Sequence, residues 1–343
     1  MITLRPGAYS LRKLLRRPID DVTSCATDRW TIAPASSVEV RPAKLLPGQL
    51  ERIRGAEFGT IAQVVRDFRG GFDASQSATV GYRLADALLI DGVLYAGNAV
   101  RHLKARSNRL LAHHSPQEIG HATLYESWLG NRWFGNWLSD DCLTYRLAEA
   151  EGRPVTSEGT SGHKLEYERG LDMRPSRAAS ARFAELIVFD DTSHGDNKRD
   201  RANDLRRRLY ADRAPRHPGV FLLRGQTGAR RELTNEHQIA EHLAVRRGFQ
   251  ILDPSSASVE EIVRLCGGAE VVAGVEGSQL VHGLMLMPPD ARAMVVQPPT
   301  RAVSALKLLT DRQGQDYSLV VGAGTHEAFS ADADEIEKTL DLA

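Results

Sequence analysis

The chain has 343 residues, 42% of them hydrophobic, and its 44 Lys and Arg residues equal its 44 Asp and Glu residues in number. This length allows two hydrophobic cores and favours two domains. The formal net charge of zero excludes the global basic field of a general nucleic-acid binder, so we expect no nucleic-acid partner.

The composition of the first residues and the spacing of the cysteines indicate in which cellular compartment the protein works. Residues 1–20 include Arg12, Lys13, Arg16 and Arg17 but lack the apolar core of a signal peptide. No apolar run approaches the ~20 residues of a membrane-spanning helix. Three scattered cysteines suit a reducing compartment better than a disulfide framework or a zinc site. We therefore predict a cytoplasmic protein, with peripheral contact at the inner face of a membrane as the weaker alternative.

In chain order, the first clear element is a hairpin at 88–95. Asp91 and Gly92 lie at its centre, and Asp-Gly supports the positive φ angles of a type I′ turn. A helix is then predicted to begin near Trp133 and to end at Gly152. Asn136 and Asp140 are four residues apart in it, so they point the same way as a polar pair. The structural alternative for Asp140 is a helix N-terminal acid that the helix dipole stabilises.

The next segments predict the division into domains. Residues 151–181 are rich in glycine and charge with little periodicity, and we predict domains at 1–155 and 182–343 joined by an interdomain region at 156–181. Asp190 and Asp191 follow an apolar run and could bind a metal in principle, but no DxD-type metal motif is present. The arginine-rich run 198–216 is interrupted by aspartates, which is typical of a solvated helix of mixed charge.

The segment 220–299 alternates short apolar runs with helices and predicts a Rossmann-like sheet. Strands are predicted at 220–223, 249–252, 271–273 and 294–296 because these runs are flanked by Gly or Pro, as buried parallel strands are. Ser258 and Glu261 form a capping-box pattern that starts one of the helices. Ligands of such sheets bind beyond the carboxyl ends of the strands.

Charged residues follow two of these strands. Arg224, Arg230 and Arg231 come after the first strand, and guanidinium groups at a strand end suit a diphosphate. The alternative is a solvated basic turn. The segment around Gly225 and Gly228 has neither the spacing nor the lysine of a Walker A sequence, which argues against a P-loop nucleotidase.

A second loop, Glu276-Gly277-Ser278, allows close approach of a ligand to the backbone. Glu276 could accept hydrogen bonds from ribose or sugar hydroxyls, and Ser278 could bond the same ligand. For Glu276 a carboxylate stabilised by the helix dipole is an equal alternative. His282 lies one helical turn after Ser278, where a structural histidine is the favoured interpretation.

These residues, together with Asn235-Glu236 and Asp253-Pro254, resemble the carboxyl-terminal half of glycosyltransferase family 61. The resemblance is good over 183–299 and weak in the amino-terminal half. It implies two Rossmann-like domains in a GT-B arrangement and metal-independent, inverting transfer of a sugar. The chain departs from the family where Glu276-Gly277-Ser278 replaces a common His-Gly-Ala and where His282 replaces a common Asn.

The resemblance also assigns roles to residues. Family members often read His-Trp-Leu-Leu-Asp where this chain has Asn136, Trp137 and Asp140, so Asn136 and Trp137 are expected on the acceptor side and Asp140 matches the aspartate. Asp140 is the predicted general base and Asp141 the second candidate. The predicted donor residues are Arg224, Arg230, Arg231, Asn235, Glu276, Gly277, Ser278 and His282.

The implied substrates are a nucleotide sugar and a glycan or lipid-linked glycan acceptor, in synthesis of a surface or capsular polysaccharide. No separate cofactor and no metal are expected, because the arginines and helix amides can stabilise the leaving diphosphate. Two other functions stay open. One is a non-catalytic nucleotide-sugar-binding or scaffold protein, and the other is a nucleotide-dependent phosphotransferase on the same type of sheet.

Overall fold

A computed structural model describes residues 2–106, 113–114, 116–225 and 231–342. Its strands are β1 (Ile2–Thr3), β2 (Ala26–Ala33), β3 (Ser36–Val40), β4 (Phe72–Gln76), β5 (Thr79–Ile90), β6 (Val93–Ala96), β7 (Ala99–His102), β8 (His113–His114), β9 (Gln117–Leu124), β10 (Pro154–Thr156), β11 (Ser176–Arg177), β12 (Ser180–Asp190), β13 (Val220–Leu222), β14 (Gln250–Leu252), β15 (Val271–Val275), β16 (Arg292–Gln297), β17 (Asp316–Val321), β18 (Ala323–Gly324) and β19 (Phe329–Ser330).

The α-helices of the same residues are α1 (Arg5–Leu14), α2 (Ile61–Arg69), α3 (Trp128–Arg132), α4 (Phe134–Asn136), α5 (Cys142–Glu151), α6 (Gly162–Gly170), α7 (Asp196–Arg208), α8 (Glu236–Arg247), α9 (Val259–Gly267), α10 (Leu280–Leu286), α11 (Ala305–Gln313) and α12 (Ala333–Leu340). A π-helical turn, Trp137–Asp141, lies between α4 and α5. Among the described helices, none is long and apolar enough to cross a membrane.

The chain forms two compact units, and neither is continuous in sequence. Unit 1 consists of residues 1–35 and 77–193, and unit 2 of residues 36–76 and 194–343. These bounds differ from the predicted domains of 1–155 and 182–343. Residues 36–76 belong to unit 2, and the predicted interdomain region 156–181 belongs to unit 1, where it supplies α6 and β11.

Unit 1 is built on a mixed sheet of order β11-β10-β9-β12-β5-β6-β7, with β2 also paired to β5. The strands from β11 to β12 are parallel, whereas β5 runs antiparallel to β12, β6 and β2. The mixed α/β class is thus confirmed, but the purely parallel pattern of a Rossmann-like domain does not hold for unit 1. The reason is the long antiparallel pairing of β5 with β12, which extends over ten residue pairs.

The predicted hairpin is confirmed between β5 and β6 of that sheet. Ile90 pairs with Val93, and the two turn residues have positive φ angles of 48° for Asp91 and 69° for Gly92. The predicted helix before Gly152 is also present, as α4, the π-helical turn and α5 in succession. Gly152 ends α5 with a φ angle of 158°.

Unit 2 contains a five-stranded sheet of order β14-β13-β15-β16-β17, in which every pair is parallel. Numbered along the chain, its strands follow the order 2-1-3-4-5 of flavodoxin-like doubly wound sheets. All four predicted strands are confirmed, and Ser258 caps α9 by accepting a hydrogen bond from the Glu261 amide at 3.2 Å. The apolar runs lie in the core because helices cover both faces of such a sheet.

Residues 36–76 complete unit 2 beside strand β17. Lys44 forms a parallel bridge with Ser318, and its ammonium contacts Asp316 at 2.7 Å. Gln49 accepts a hydrogen bond from the Val321 amide at 2.6 Å. The outer edge of the sheet is therefore covered by this segment rather than left open.

Helix α7 carries the basic run that was predicted to be a solvated helix. The structure differs from this prediction, because Lys198, Arg201 and Arg206 are buried. Arg206 donates from Nε to the Leu286 carbonyl at 2.8 Å, and burial lowers its pKa. The helix packs on α10 and α11, so its cationic side chains serve internal packing on one face.

Candidate functional site

The donor-site candidates of unit 2 lie where two central strands end. Strands β13 and β15 are neighbours, and the connections that follow them lead to β14 on one side and β16 on the other. This divergence is the topological switch point of the sheet, where doubly wound folds bind ligands. Arg224 lies two residues beyond β13, and Glu276 directly follows β15. Both predicted loops thus converge on the expected position.

Arg224 is held in place by the second loop and by helix α8. Its Nη1 donates to the Glu276 carbonyl at 3.3 Å and to Gln279 Oε1 at 2.9 Å. Its own amide donates to Glu236 Oε1 at 2.8 Å, and the Gly225 amide donates to Glu236 Oε2 at 3.2 Å. Glu236 therefore fixes the backbone of the first loop, and burial raises its pKa.

Arg231 contacts the same loop. Its Nη1 donates to the Glu276 carbonyl at 3.1 Å and forms a short ion pair with the Glu276 carboxylate. Both side chains are largely buried, at 10% and 7% exposure. Burial, together with the nearby cations Arg224 and Arg301, lowers the pKa of Arg231 to about 9. Glu276, predicted to accept hydrogen bonds from ribose or sugar hydroxyls, thus lies against an arginine.

A third arginine, which the sequence analysis missed, completes this group. Arg301 pairs with Glu57 at 2.7 Å and is 13% exposed, and the bond from Arg301 holds the pKa of Glu57 below its ordinary value. Burial and the charge of Arg301 lower the pKa of Arg224. We name Arg224, Arg231 and Arg301 the arginine cluster.

The arginine cluster has buried N–H groups that lack an acceptor. Among the described residues, neither Arg231 Nε nor Arg301 Nη1 has a hydrogen-bond partner. A buried donor without a partner costs about 1 to 3 kcal/mol. Oxygen atoms of an anion are the partners that such guanidinium groups favour. The cluster is therefore suited to a phosphate or diphosphate group.

Gly277 lets the second loop pass next to Arg224. Its φ angle is 157°, and a Cβ atom at this position would lie 1.9 Å from Arg224 Nη1 and 2.4 Å from Gln279 Oε1. Contacts that short essentially never occur, so a side chain here would displace the guanidinium. The sequence predicted close approach of a ligand to this glycine, and the group that the structure places there is the Arg224 guanidinium.

The remaining predicted donor residues have different surroundings. The Asn235 amide bonds the backbone of Ala331, donating to its carbonyl at 2.8 Å and accepting from its amide at 3.3 Å. Ser278 is partly exposed in the loop after β15, and His282 is buried in α10 at 3% exposure. Arg230 lies outside the described residues. Their roles in donor binding stay predictions.

In unit 1, Asn136 and Asp140 form the polar pair that their spacing predicted. Asn136 Nδ2 donates to Asp140 Oδ2 at 3.0 Å, and Ser139 Oγ donates to the same oxygen at 3.2 Å. Both bonds orient the carboxylate. Asn136 ends α4, and the π-helical turn Trp137–Asp141 that follows carries Asp140; such turns are frequent at functional sites. Asp140 is partly exposed, so a substrate hydroxyl can reach it.

Asp141, the second candidate base, has a structural setting. It is 1% exposed and accepts from the Ser127 hydroxyl at 2.7 Å and the Ser127 amide at 3.2 Å. Burial raises its pKa well above the ordinary value, and the charges of Asp140 and Glu126 add to the shift. A Cβ atom on Gly130 would lie 1.9 Å from its Oδ2, so the carboxyl group fills its site completely.

Trp137, predicted on the acceptor side, is also largely buried. It is 5% exposed, its ring lies 6.4 Å from that of Tyr167, and Lys164 Nζ lies 5.2 Å from the indole centroid. Burial raises the pKa of the neighbouring Glu126, which accepts hydrogen bonds from Thr156, Ser157 and Asn131. The tryptophan therefore supports the turn that carries Asp140.

Asp190 and Asp191, the possible metal ligands, diverge at the end of β12. Asp190 is exposed, whereas Asp191 is buried and accepts from Thr144 Oγ1 at 2.8 Å and Thr79 Oγ1 at 3.3 Å. Within the described ranges, no group of three or more His, Cys, Asp or Glu side chains is arranged to hold a metal ion. Asp191 instead links β5, α5 and the end of β12.

Comparison with known proteins gives one family. The family model described as Glycosyltransferase 61 matches residues 103–294, which is more than half of the chain. No curated protein matches the chain. Among 17 matching chains of solved structures is the metal-soaked Flv1 flavodiiron core from Synechocystis sp. PCC6803, 10% identical, with 76% of this chain and 61% of that chain covered. Its TM-score of 0.26 supports no argument about fold or chemistry.

Proposed function

Because the chain belongs to glycosyltransferase family 61, we propose that it transfers a sugar from a nucleotide-sugar donor to a glycan acceptor, with unit 2 binding the donor and unit 1 supplying the base. Family membership makes the protein a glycosyltransferase. The match spans residues of both units, including Asp140, Arg224, Arg231 and Glu276. The finer assignment depends on the chemistry of these residues.

The observation that carries the proposal is the arginine cluster at the switch point of the unit 2 sheet. A diphosphate placed there would give acceptors to Arg231 Nε and Arg301 Nη1, which have none among the described residues. It would also offset the burial and the repulsion by Arg224 and Arg301 that lower the pKa of Arg231. In this proposal the diphosphate competes with Glu57 and Glu276, whose carboxylates contact Arg301 and Arg231.

The proposed reaction is a single displacement at the anomeric carbon. An acceptor hydroxyl oxygen forms a bond to that carbon while the bond from carbon to the diphosphate oxygen breaks. The hydroxyl proton passes to the Asp140 carboxylate, and the electron pair of the broken bond leaves with the nucleoside diphosphate. The arginine cluster stabilises the charge that develops on this leaving group without a metal. Attack opposite the leaving group gives inversion.

Several parts of the proposal depend on the family resemblance alone. These are the role in surface or capsular polysaccharide synthesis and the lipid-linked form of the acceptor. The proposed cytoplasmic location depends instead on the three scattered cysteines, which suit a reducing compartment. The parallel sheet of unit 2 supports a nucleotide-binding role, whereas the mixed sheet of unit 1 supports no particular substrate.

The donor site can be tested with nucleotide sugars and alanine variants. A thermal-shift panel of UDP-, GDP- and CMP-sugars should identify one donor class, because a ligand at ~100 times its dissociation constant stabilises a protein by ~2.7 kcal/mol. Arg231→Ala and Arg301→Ala should each weaken calorimetric binding of the matching nucleotide by about 1.5 to 3 kcal/mol.

The matched control is Arg264→Ala on α9, since this side chain is 60% exposed and its nearest ion-pair partner, Glu261, lies at 3.9 Å. Its affinity should equal that of the unchanged protein. Equal affinities in Arg231→Ala, Arg301→Ala and the control would overturn the donor site. Nucleotide binding without transfer to any glycan acceptor would instead favour the non-catalytic alternative.

A further inference from the structure

Helix α1 exposes an apolar stripe that no part of the described protein covers. Leu4, Ala8, Leu11 and Leu15 follow helical spacing and are exposed, with Leu14 beside them. The leucine side chains are exposed to 68%, 57%, 55% and, for Leu14, 78%. Four of the eleven exposed large hydrophobic residues of the described chain thus lie within residues 4–15. Such clustering marks an interaction surface rather than the usual scatter of single apolar residues.

The opposite face of α1 packs on unit 1. Pro6 is buried, and the Tyr9 ring lies 6.2 Å from the ring of Tyr95. Arg12 donates to the carbonyls of Asn98 at 2.8 Å and Pro18 at 3.0 Å. Arg5 bonds the Asp86 carbonyl at 2.6 Å. The helix is therefore fastened to the protein, and the leucine stripe faces away from it.

The segment that carries the stripe contains several cationic residues and no acidic residue. Residues 1–19 contain Arg5, Arg12, Lys13, Arg16 and Arg17 and no Asp or Glu, although the whole chain has a formal net charge of zero. The positive charge is thus local to this end of unit 1. A helix with leucines on one side and Lys and Arg beside them binds at the surface of an anionic membrane, because the leucines are buried at the headgroup boundary and the cations are attracted to the headgroups.

We propose that α1, with Leu4, Leu11, Leu14 and Leu15 inward and Lys13, Arg16 and Arg17 at its border, docks the protein on an anionic lipid surface. The charge decides between this occupant and an apolar partner, because an apolar protein face gives no counterions for the three border cations, whereas anionic headgroups do. Because α1 is short and is a single membrane-binding element, we expect the attachment to be reversible. The inference is independent of the donor site and of Asp140.

Vesicle co-sedimentation of the full-length protein tests the proposal. The protein should sediment with phosphatidylcholine vesicles that contain phosphatidylglycerol, should stay in solution with phosphatidylcholine alone, and should be released by high salt. Leu11→Glu combined with Leu15→Glu should lower the partition coefficient by about tenfold or more, since each leucine loses its burial and each new acid is repelled. Lys13→Glu combined with Arg16→Glu should also lower it and should remove most of the salt dependence.

The matched control is Val245→Glu, which changes an 84% exposed apolar residue on helix α8 of unit 2. It should sediment like the unchanged protein, and circular dichroism melting should show that all variants are folded. Unchanged sedimentation of the double leucine variant, or no sedimentation of the unchanged protein, would overturn the proposal. So would a dimer in light scattering that the leucine substitutions convert to a monomer, because the face would then bind a second copy.

Discussion

Gly277→Ala, in the loop at the switch point, should weaken donor binding in a protein that still folds. The new Cβ would lie 1.9 Å from Arg224 Nη1, whereas ordinary van der Waals contact begins at 3.4 Å. The guanidinium must therefore retreat by about 1.5 Å, the difference between these two distances. That movement breaks the 2.9 Å bond to Gln279 and the 3.3 Å bond to the Glu276 carbonyl. Arg224 then no longer points where the proposed diphosphate binds.

The expected loss follows from the value of a hydrogen bond to a charged group, about 1.5 to 3 kcal/mol. This corresponds to roughly 10- to 150-fold weaker affinity for the nucleoside diphosphate, measured by titration calorimetry. The Gly277→Ala variant should still fold, because an alanine at the φ angle of 157° adds a backbone cost of only about 1 to 3 kcal/mol. Thermal melting of the same sample measures that cost.

Gly48→Ala is the control for backbone strain. Gly48 has a φ angle of 84°, and a Cβ atom there would meet nothing within 4 Å. Its variant should lose stability to a similar extent and keep the affinity of the unchanged protein. Unaltered affinity in Gly277→Ala would refute the reasoning, since Arg224 could then be displaced without consequence. Arg224→Lys, which keeps the glycine and the charge, should show the same loss if the loop variant fails to fold.

Further predictions concern unit 1, the metal and pH. Asp140→Asn should lower turnover by ~10²- to 10⁴-fold with donor affinity nearly unchanged, whereas Asp141→Asn should lower it much less; equal effects in steady-state assays would contradict this. Transfer should persist in excess EDTA, and rescue of a lost activity by magnesium or manganese would make Asp190 and Asp191 the first residues to test. Because the pKa of Asp141 is raised in the folded protein, its stability contribution is complete below the ordinary value of 3.8 and declines as pH rises toward the raised pKa. Urea unfolding at several pH values should therefore show a weaker decline of the free energy of unfolding with rising pH in Asp141→Asn, and identical slopes would count against a raised pKa of Asp141.

The donor side of the fold could be predicted from the sequence because its signals are local. Short apolar runs bounded by Gly or Pro indicate parallel strands, and a ligand site beyond their ends follows from topology. Arg224 and Glu276 were found by this reasoning. Arg301 was missed, although it follows strand β16 through Pro298 and Pro299, and the same rule applied to that strand would have found it.

Other features depend on contacts that a sequence pattern does not encode. Glu57 reaches Arg301 from a segment far earlier in the chain, and no local motif marks it. Charged side chains of helices are usually exposed. Lys198 and Arg206 are buried instead, because α7 packs on other helices of unit 2. The mixed sheet of unit 1 arises from pairing of β5 with β12, which the short apolar run 186–189 alone did not reveal.

The early position of residues 36–76 has a consequence for biosynthesis. The antiparallel pair of β3 and β4 and Lys44 belong to unit 2, but strand β17, which Lys44 joins, begins only at Asp316. At a synthesis rate of about 5 to 20 residues per second, this segment waits roughly ten to fifty seconds for its partner on the ribosome. Unit 1 can meanwhile be completed by residue 193. The nascent chain therefore carries a finished unit 1 in which residues 36–76 are not yet joined to β17. A chaperone that binds exposed strands would aid folding most in this state.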